Sequence, residues 1–136
     1  MTRISNWAKH LNALVDSRRN TPFQWGVNDC MLWPADCVLA ITGEDPAAEY
    51  RGTYSTALSA MRIAEKHGGI RGLVSRQLND WPVKKEFARR GDIVTFRDDD
   101  RFFGGVHLGN VAAFVSTDGL AFIPANKINE LIWRIG

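Results

Sequence analysis

Ile4, Trp7, Leu11, Leu14 and Val15 recur at helical spacing, which predicts an amphipathic helix over residues 4–17. Ser5 or Asn6 suits its start, Arg18-Arg19-Asn20 its end, and Thr21-Pro22 breaks the chain after it. A second apolar stretch follows Cys30. Leu32, Trp33, Cys37, Val38 and Ile41 leave little polar face, so this helix is expected to be central and buried, stopping at Gly43. Pro34 lacks an N–H and is tolerated only in a first turn. The helix therefore begins either at Cys30 or at Trp33, with Cys30 on an irregular turn before it.

Beyond the Gly43-Glu44-Asp45-Pro46 loop, a third helix is predicted with Thr53 or Ser55 as its cap. Leu58, Met61, Ala64 and Ala57 form its apolar stripe, and Gly68-Gly69 ends it. A short helix over Leu73 to Leu78 and a turn at Trp81-Pro82 follow. From Gly91 the period changes. Ile93 to Phe96 reads as a strand, Asp98-Asp99-Asp100 as a polar loop, and Val106 to Val115 as further β-structure. Thr117-Asp118-Gly119 is a hairpin turn, Leu120 to Ile123 returns, and Ile132 to Ile135 adds a last strand. Helices over about 1–80, followed by an antiparallel sheet over about 90–136, make a single α+β domain spanning 1–136.

The 136 residues suffice for one buried core. A formal net charge of +2, with basic pairs Arg18-Arg19, Lys84-Lys85 and Arg89-Arg90 separated along the chain, argues against a nucleic-acid binder. No apolar run reaches the ~20 residues of a membrane span. The first residues lack the apolar centre of a signal peptide, so synthesis in a reducing interior without a leader is expected. Cys30 and Cys37 on one helix would stand about 10 Å apart along its axis, too far for a disulfide.

Cys30 has two readings, a small buried hydrophobe or a nucleophile activated by unpaired N–H groups and the dipole at a helix start. Cys37, mid-helix, reads as core. A thiol nucleophile needs a base. His10 and His67 read as surface residues. His107, in Gly104-Gly105-Val106-His107-Leu108-Gly109, lies where glycines permit close approach. Zinc held by Cys30, Cys37 and His107 is disfavoured, because six residues between two cysteines on one helix is not a usual ligand spacing. No metal or cofactor is expected.

Trp25-Gly26 followed by Asp29-Cys30, then Gly91-Asp92-Ile93-Val94-Thr95-Phe96, then His107-Leu108-Gly109, resembles in order and spacing the NlpC-type cell-wall peptidases, papain-like cysteine hydrolases. Trp25 to Cys30, Gly43-Glu44-Asp45-Pro46, Arg51-Gly52-Thr53-Tyr54 and Trp133-Arg134-Ile135 resemble a small phage-encoded, tail-associated branch. The resemblance covers roughly residues 22–135 and implies a papain-like fold.

It also implies Cys30 as nucleophile and His107 as general base, with peptidoglycan stem peptide as substrate and other phage tail proteins as partners in a virion tail. Gln24 stands at the spacing of the oxyanion-hole glutamine. The polar residue that orients the histidine is missing from the apolar strand Leu120 to Pro124. Asn126 is the candidate in its place, ahead of Ser116 and Asp118. Met31-Leu32 replaces the usual Ser-Gly after the cysteine. The same resemblance admits a second expectation, a tail assembly or tail-tip protein that keeps the fold with a degraded site.

Overall fold

The computed structural model describes residues 1–78, 82–99, 101–128 and 132–136. Trp81, of the predicted Trp81-Pro82 turn, and Asp100, of the predicted polar loop, lie outside the described residues. Within them the chain is α+β. The helices are α1 (Trp7–Arg18), α2 (Leu32–Thr42), α3 (Ala57–Glu65) and α4 (Gly69–Leu78). The strands are β1 (Pro82–Val83), β2 (Ile93–Asp98), β3 (Arg101–His107), β4 (Val111–Ser116), β5 (Gly119–Pro124) and β6 (Ile132–Trp133). They form one six-stranded sheet in the order β1-β6-β2-β3-β4-β5, every pairing antiparallel. No helix among the described residues is long and apolar enough to cross a membrane.

Helix α2 is the central helix its composition predicts. Leu32, Trp33, Cys37, Val38 and Ile41 are all buried, because α1 covers one flank and the sheet another. The Trp33 indole N–H donates to the Ala113 carbonyl at 2.9 Å, fixing the helix over β4. Gly43, at φ 79°, ends the helix in the left-handed conformation, and its N–H donates to Leu39 O. Its start follows the second alternative: the regular helix opens at Leu32, Pro34 falls in the first turn, and Cys30 sits before it.

Three expectations need correction. Helix α3 buries Ala60 and Ala64, whereas Leu58 and Met61 are 60% and 56% exposed, so the stripe is rotated from the one predicted. Ile63 packs beside the two alanines at the edge of this face. Its cap is Thr56, whose hydroxyl accepts from Ser59 N in a capping box, not Thr53 or Ser55. The β-rich run from Val106 is also not continuous. It breaks after His107, where Gly109 turns at φ 107°, and β3 instead begins at Arg101.

The register assigns the faces of the sheet. Ile93, Val106 and Ala113 are cross-strand neighbours and pack with Trp33 and Cys37 under α2. Val94, Ala112 and Phe114 are on the opposite face, in a separate cluster with Ile128 and Ile132. Strand side chains alternate, so position 104 faces α2 with Val106. A Cβ added at Gly104 would stand 2.6 Å from the Cys30 carbonyl oxygen, so only glycine permits this approach.

Candidate functional site

The segment before α2 is held from inside by Asn28 and Asp29, 1% and 0% exposed. The Asn28 amide donates to the carbonyls of Thr21 and Pro22, each at 3.1 Å, and its oxygen accepts from Arg18 at 3.1 Å. The Asp29 carboxylate accepts four hydrogen bonds. One oxygen takes Met31 N and Leu32 N, both at 2.9 Å. The other takes Gly26 N at 2.8 Å and the Tyr54 hydroxyl at 2.6 Å. Trp33 N then donates to Asp29 O at 2.9 Å. Asp29 is thus the functional N-cap of α2. A second carboxylate chain braces the same corner, with Arg18 on Asp36, Arg51 on Asp36, and Arg51 again on Asp45, each at 2.9 Å.

This arrangement decides the state of Cys30. The N–H groups of Met31, Leu32 and Trp33 are all used by Asp29, and Pro34 has none. The negative carboxylate also offsets the positive end of the helix dipole. Of these sources only the N–H of Cys30 itself remains. The Cys30 side chain packs with Met31, Leu32, Ala35, Tyr50 and Tyr54. Burial pushes its thiol up to about 12, the neighbouring Asp29 charge pushes the same way, and only its own backbone N–H opposes them. Cys30 is a neutral thiol at physiological pH.

His107 is on the other side of the sheet. It pairs in register with Ala112, on the face turned away from α2. Position 104, which meets the Cys30 backbone, is three residues back along β3, about 10 Å at ~3.3 Å per residue. The imidazole Nδ1 accepts the Gly109 N–H at 3.1 Å, which places the proton of the neutral ring on Nε2. Burial lowers its pKa, with Asp92 opposing. A lowered folded-state value means the neutral ring contributes stability above the ordinary 6.5, lost as pH falls through the folded value. Protonating Nδ1 also breaks the Gly109 bond. Thermal melts between pH 7 and pH 4 should therefore show a steeper acid loss for the native chain than for His107→Gln. Equal slopes would sink this account.

The other residues assigned by resemblance are dispersed. Gln24 is exposed, and it is its main chain that closes the loop, bridging Asn28 in both directions at 2.9 and 2.8 Å. Asn126 is exposed on the short 3-10 turn Ala125–Lys127 beyond β5, with β4 standing between β5 and the strand of His107. Gly109 N, and not Asn126, holds the imidazole. Ser116 closes the β4–β5 hairpin through Gly119 O, and Asp118 is exposed on that turn. Cys30, Cys37 and His107 belong to three different surroundings, and no metal-binding group of His, Cys, Asp or Glu occurs among the described residues.

Sequence reasoning attended to the cysteine of Asp29-Cys30 and passed over the aspartate. The signal was there: an acid immediately before an apolar helical run is an N-cap signature. Tyr54, its partner across 25 positions, carried no local signal.

Fold and site together define an α+β domain built on an aspartate-capped central helix with a sequestered thiol beside it. Residues 2–135 match the model of a family described as a domain of unknown function (DUF6950), and the chain belongs to that family. No curated protein matches it.

Proposed function

We propose that this chain is a catalytically inactive relative of the NlpC-type papain-like hydrolases, serving as a structural or assembly component, with a phage tail as its setting. The observation that carries this reading is Cys30: a buried, neutral thiol beside a helix start whose N–H groups are occupied by Asp29. An amidohydrolase needs a thiolate, a base in reach of it and free N–H donors for the oxyanion. In this fold the acid of the motif takes the N–H groups of Met31 and Leu32, and the histidine faces the other way. The tail setting is supported by the narrower sequence resemblance alone.

Hydrolysis of peptidoglycan peptide is the second reading, favoured by the order of Trp25-Gly26, Asp29-Cys30, Gly91-Asp92 and His107. One experiment separates the two. Iodoacetamide labelling, resolved by peptide mapping between pH 6 and pH 10, should show Cys30 at least ~100-fold slower in the folded chain than in denaturant, with no inflection below pH 9. Purified peptidoglycan and a γ-D-glutamyl peptide should stay intact. Rapid labelling below pH 7 that His107→Ala slows, or cleavage abolished by Cys30→Ala, overturns the proposal in favour of the enzyme.

A further inference from the structure

Two surfaces that do not include Cys30 carry opposite charges. Among the described residues Phe87 is the most exposed of the large apolar side chains, at 65%. It ends the 3-10 turn Lys85–Phe87, where its N–H donates to Lys84 O and its carbonyl accepts from Arg134, so the ring is held outward on a fixed backbone. Lys84, Lys85 and Arg89 are exposed around it, with Glu86 as the single acid of the run. Lys84 and Lys85 form no ion pair among the described residues.

The second surface is a groove of about 590 Å³ bounded by Glu44, Asp45, Pro46, Glu49, Leu78 and Met1. Arg51 holds Asp45 through two hydrogen bonds. Glu44 and Glu49 are exposed, and among the described lining residues no Lys or Arg side chain is present, the Met1 ammonium being the one cationic group. Pro46, Met1 and Leu78 supply apolar wall. An isolated exposed Phe needs no explanation, but here it stands among cations, and the groove offers the carboxylates of Glu44 and Glu49 beside apolar walls.

We infer that the chain self-associates by seating Phe87, with Lys84, Lys85 and Arg89 around it, in the Glu44/Glu49 groove of a second copy. Each copy carries both halves, and a formal net charge of only +2 sets little long-range repulsion against the contact. The two patches differ, so the contact either closes reciprocally between two copies or propagates head to tail into a ring or filament. Neither surface includes Cys30, Gln24 or His107, so the inference stands apart from the catalytic reading.

Sedimentation velocity or light scattering over a concentration series tests it. At ~50 mM salt the mass should rise with concentration, and ~0.5 M salt should suppress the rise, because exposed charges are then screened. Phe87→Ala, Lys85→Glu and Glu49→Lys should each weaken association by about tenfold or more, with circular dichroism reporting unchanged folding at these exposed positions. An equimolar mixture of Lys85→Glu and Glu49→Lys should recover association that neither shows alone. A chain that stays monomeric to ~1 mM at low salt, association that survives both charge reversals, or a mixture that stays monomeric overturns the inference.

Discussion

Asp29→Ala is expected to destabilise the protein by roughly 4 kcal/mol, because it strips three backbone N–H groups and the Tyr54 hydroxyl of their acceptor in a site closed to water. Orphaned buried donors each cost about 1–3 kcal/mol, and the loss of the helix cap falls within the same change. For a chain of this length that corresponds to a fall in Tm of order 10 °C. Asp29→Asn keeps the shape and one acceptor oxygen, yet presents an NH2 where Gly26 N–H now donates, so it should fall between the native chain and Asp29→Ala. Thermal melts of the two variants check this ordering. An Asp29→Ala melt within ~1 kcal/mol of the native chain would show that the carboxylate is dispensable, and the account of the occupied helix start would fall with it. The functional stake is direct. If Asp29 is what keeps Cys30 neutral and denies it N–H donors, Asp29→Ala should also accelerate labelling of Cys30.

The second large effect is at the other motif acid. Asp92 is fully buried and ties together three parts of the chain. One oxygen accepts from Ile135 N at 3.1 Å and pairs with Arg3 at 3.3 Å, and the other accepts from Arg89 N at 3.0 Å. Arg3 also donates to the carbonyls of Ile135 and Arg90 at 2.6 and 2.7 Å and lies over the Trp7 ring at 4.2 Å. Asp92→Ala leaves the half-buried Arg3 guanidinium and two N–H groups without their anion, an expected loss of roughly 3–5 kcal/mol. Arg3→Ala removes the other partner of the same pair, so the double variant should lose clearly less than the sum of the singles. Denaturant titrations of the four chains measure this. Strict additivity would mean that Arg3 and Asp92 act separately.

Both carboxylates belong to short motifs, Asp29-Cys30 and Gly91-Asp92, whose residue types suggest chemistry when read along the chain. The structure gives both structural duties. A carboxylate that accepts several N–H bonds and is sealed from solvent is spent as an acceptor, and Cys30 beside such a group is disfavoured as a thiolate by the adjacent charge.

The second helix was legible because burial all round gave it continuous apolar character, and Pro34 and Gly43 bounded it by backbone geometry alone. The change to period two after Gly91 was legible for the same local reason, as was the hairpin at Thr117-Asp118. Helix α3 was not. Its larger apolar side chains suggested the buried stripe, but the face that packs on the core presents Ala60 and Ala64 with Ile63 at its edge, and which face packs is set by how neighbouring segments approach. The break after His107 was hidden in a run where every residue suits a strand. That one turn sends His107 to the end of β3, on the face away from α2. A lone histidine in a strand carries no sign of which face it will take, because a shift of one residue in register exchanges the two.

By itself the sequence determined an α+β chain with a buried central helix, its end at Gly43 and the antiparallel sheet, since periodicity, proline and glycine are written in neighbouring residues; that Asp29 caps the helix emerged only from the hydrogen bonds of the folded chain. Only the tertiary structure decided what Cys30 is. Its neutrality depends on Tyr50, Tyr54 and the occupied N–H groups closing around it, and its separation from His107 depends on the strand register. Solvent exclusion and distance between remote segments are properties of packing, and no local pattern records them.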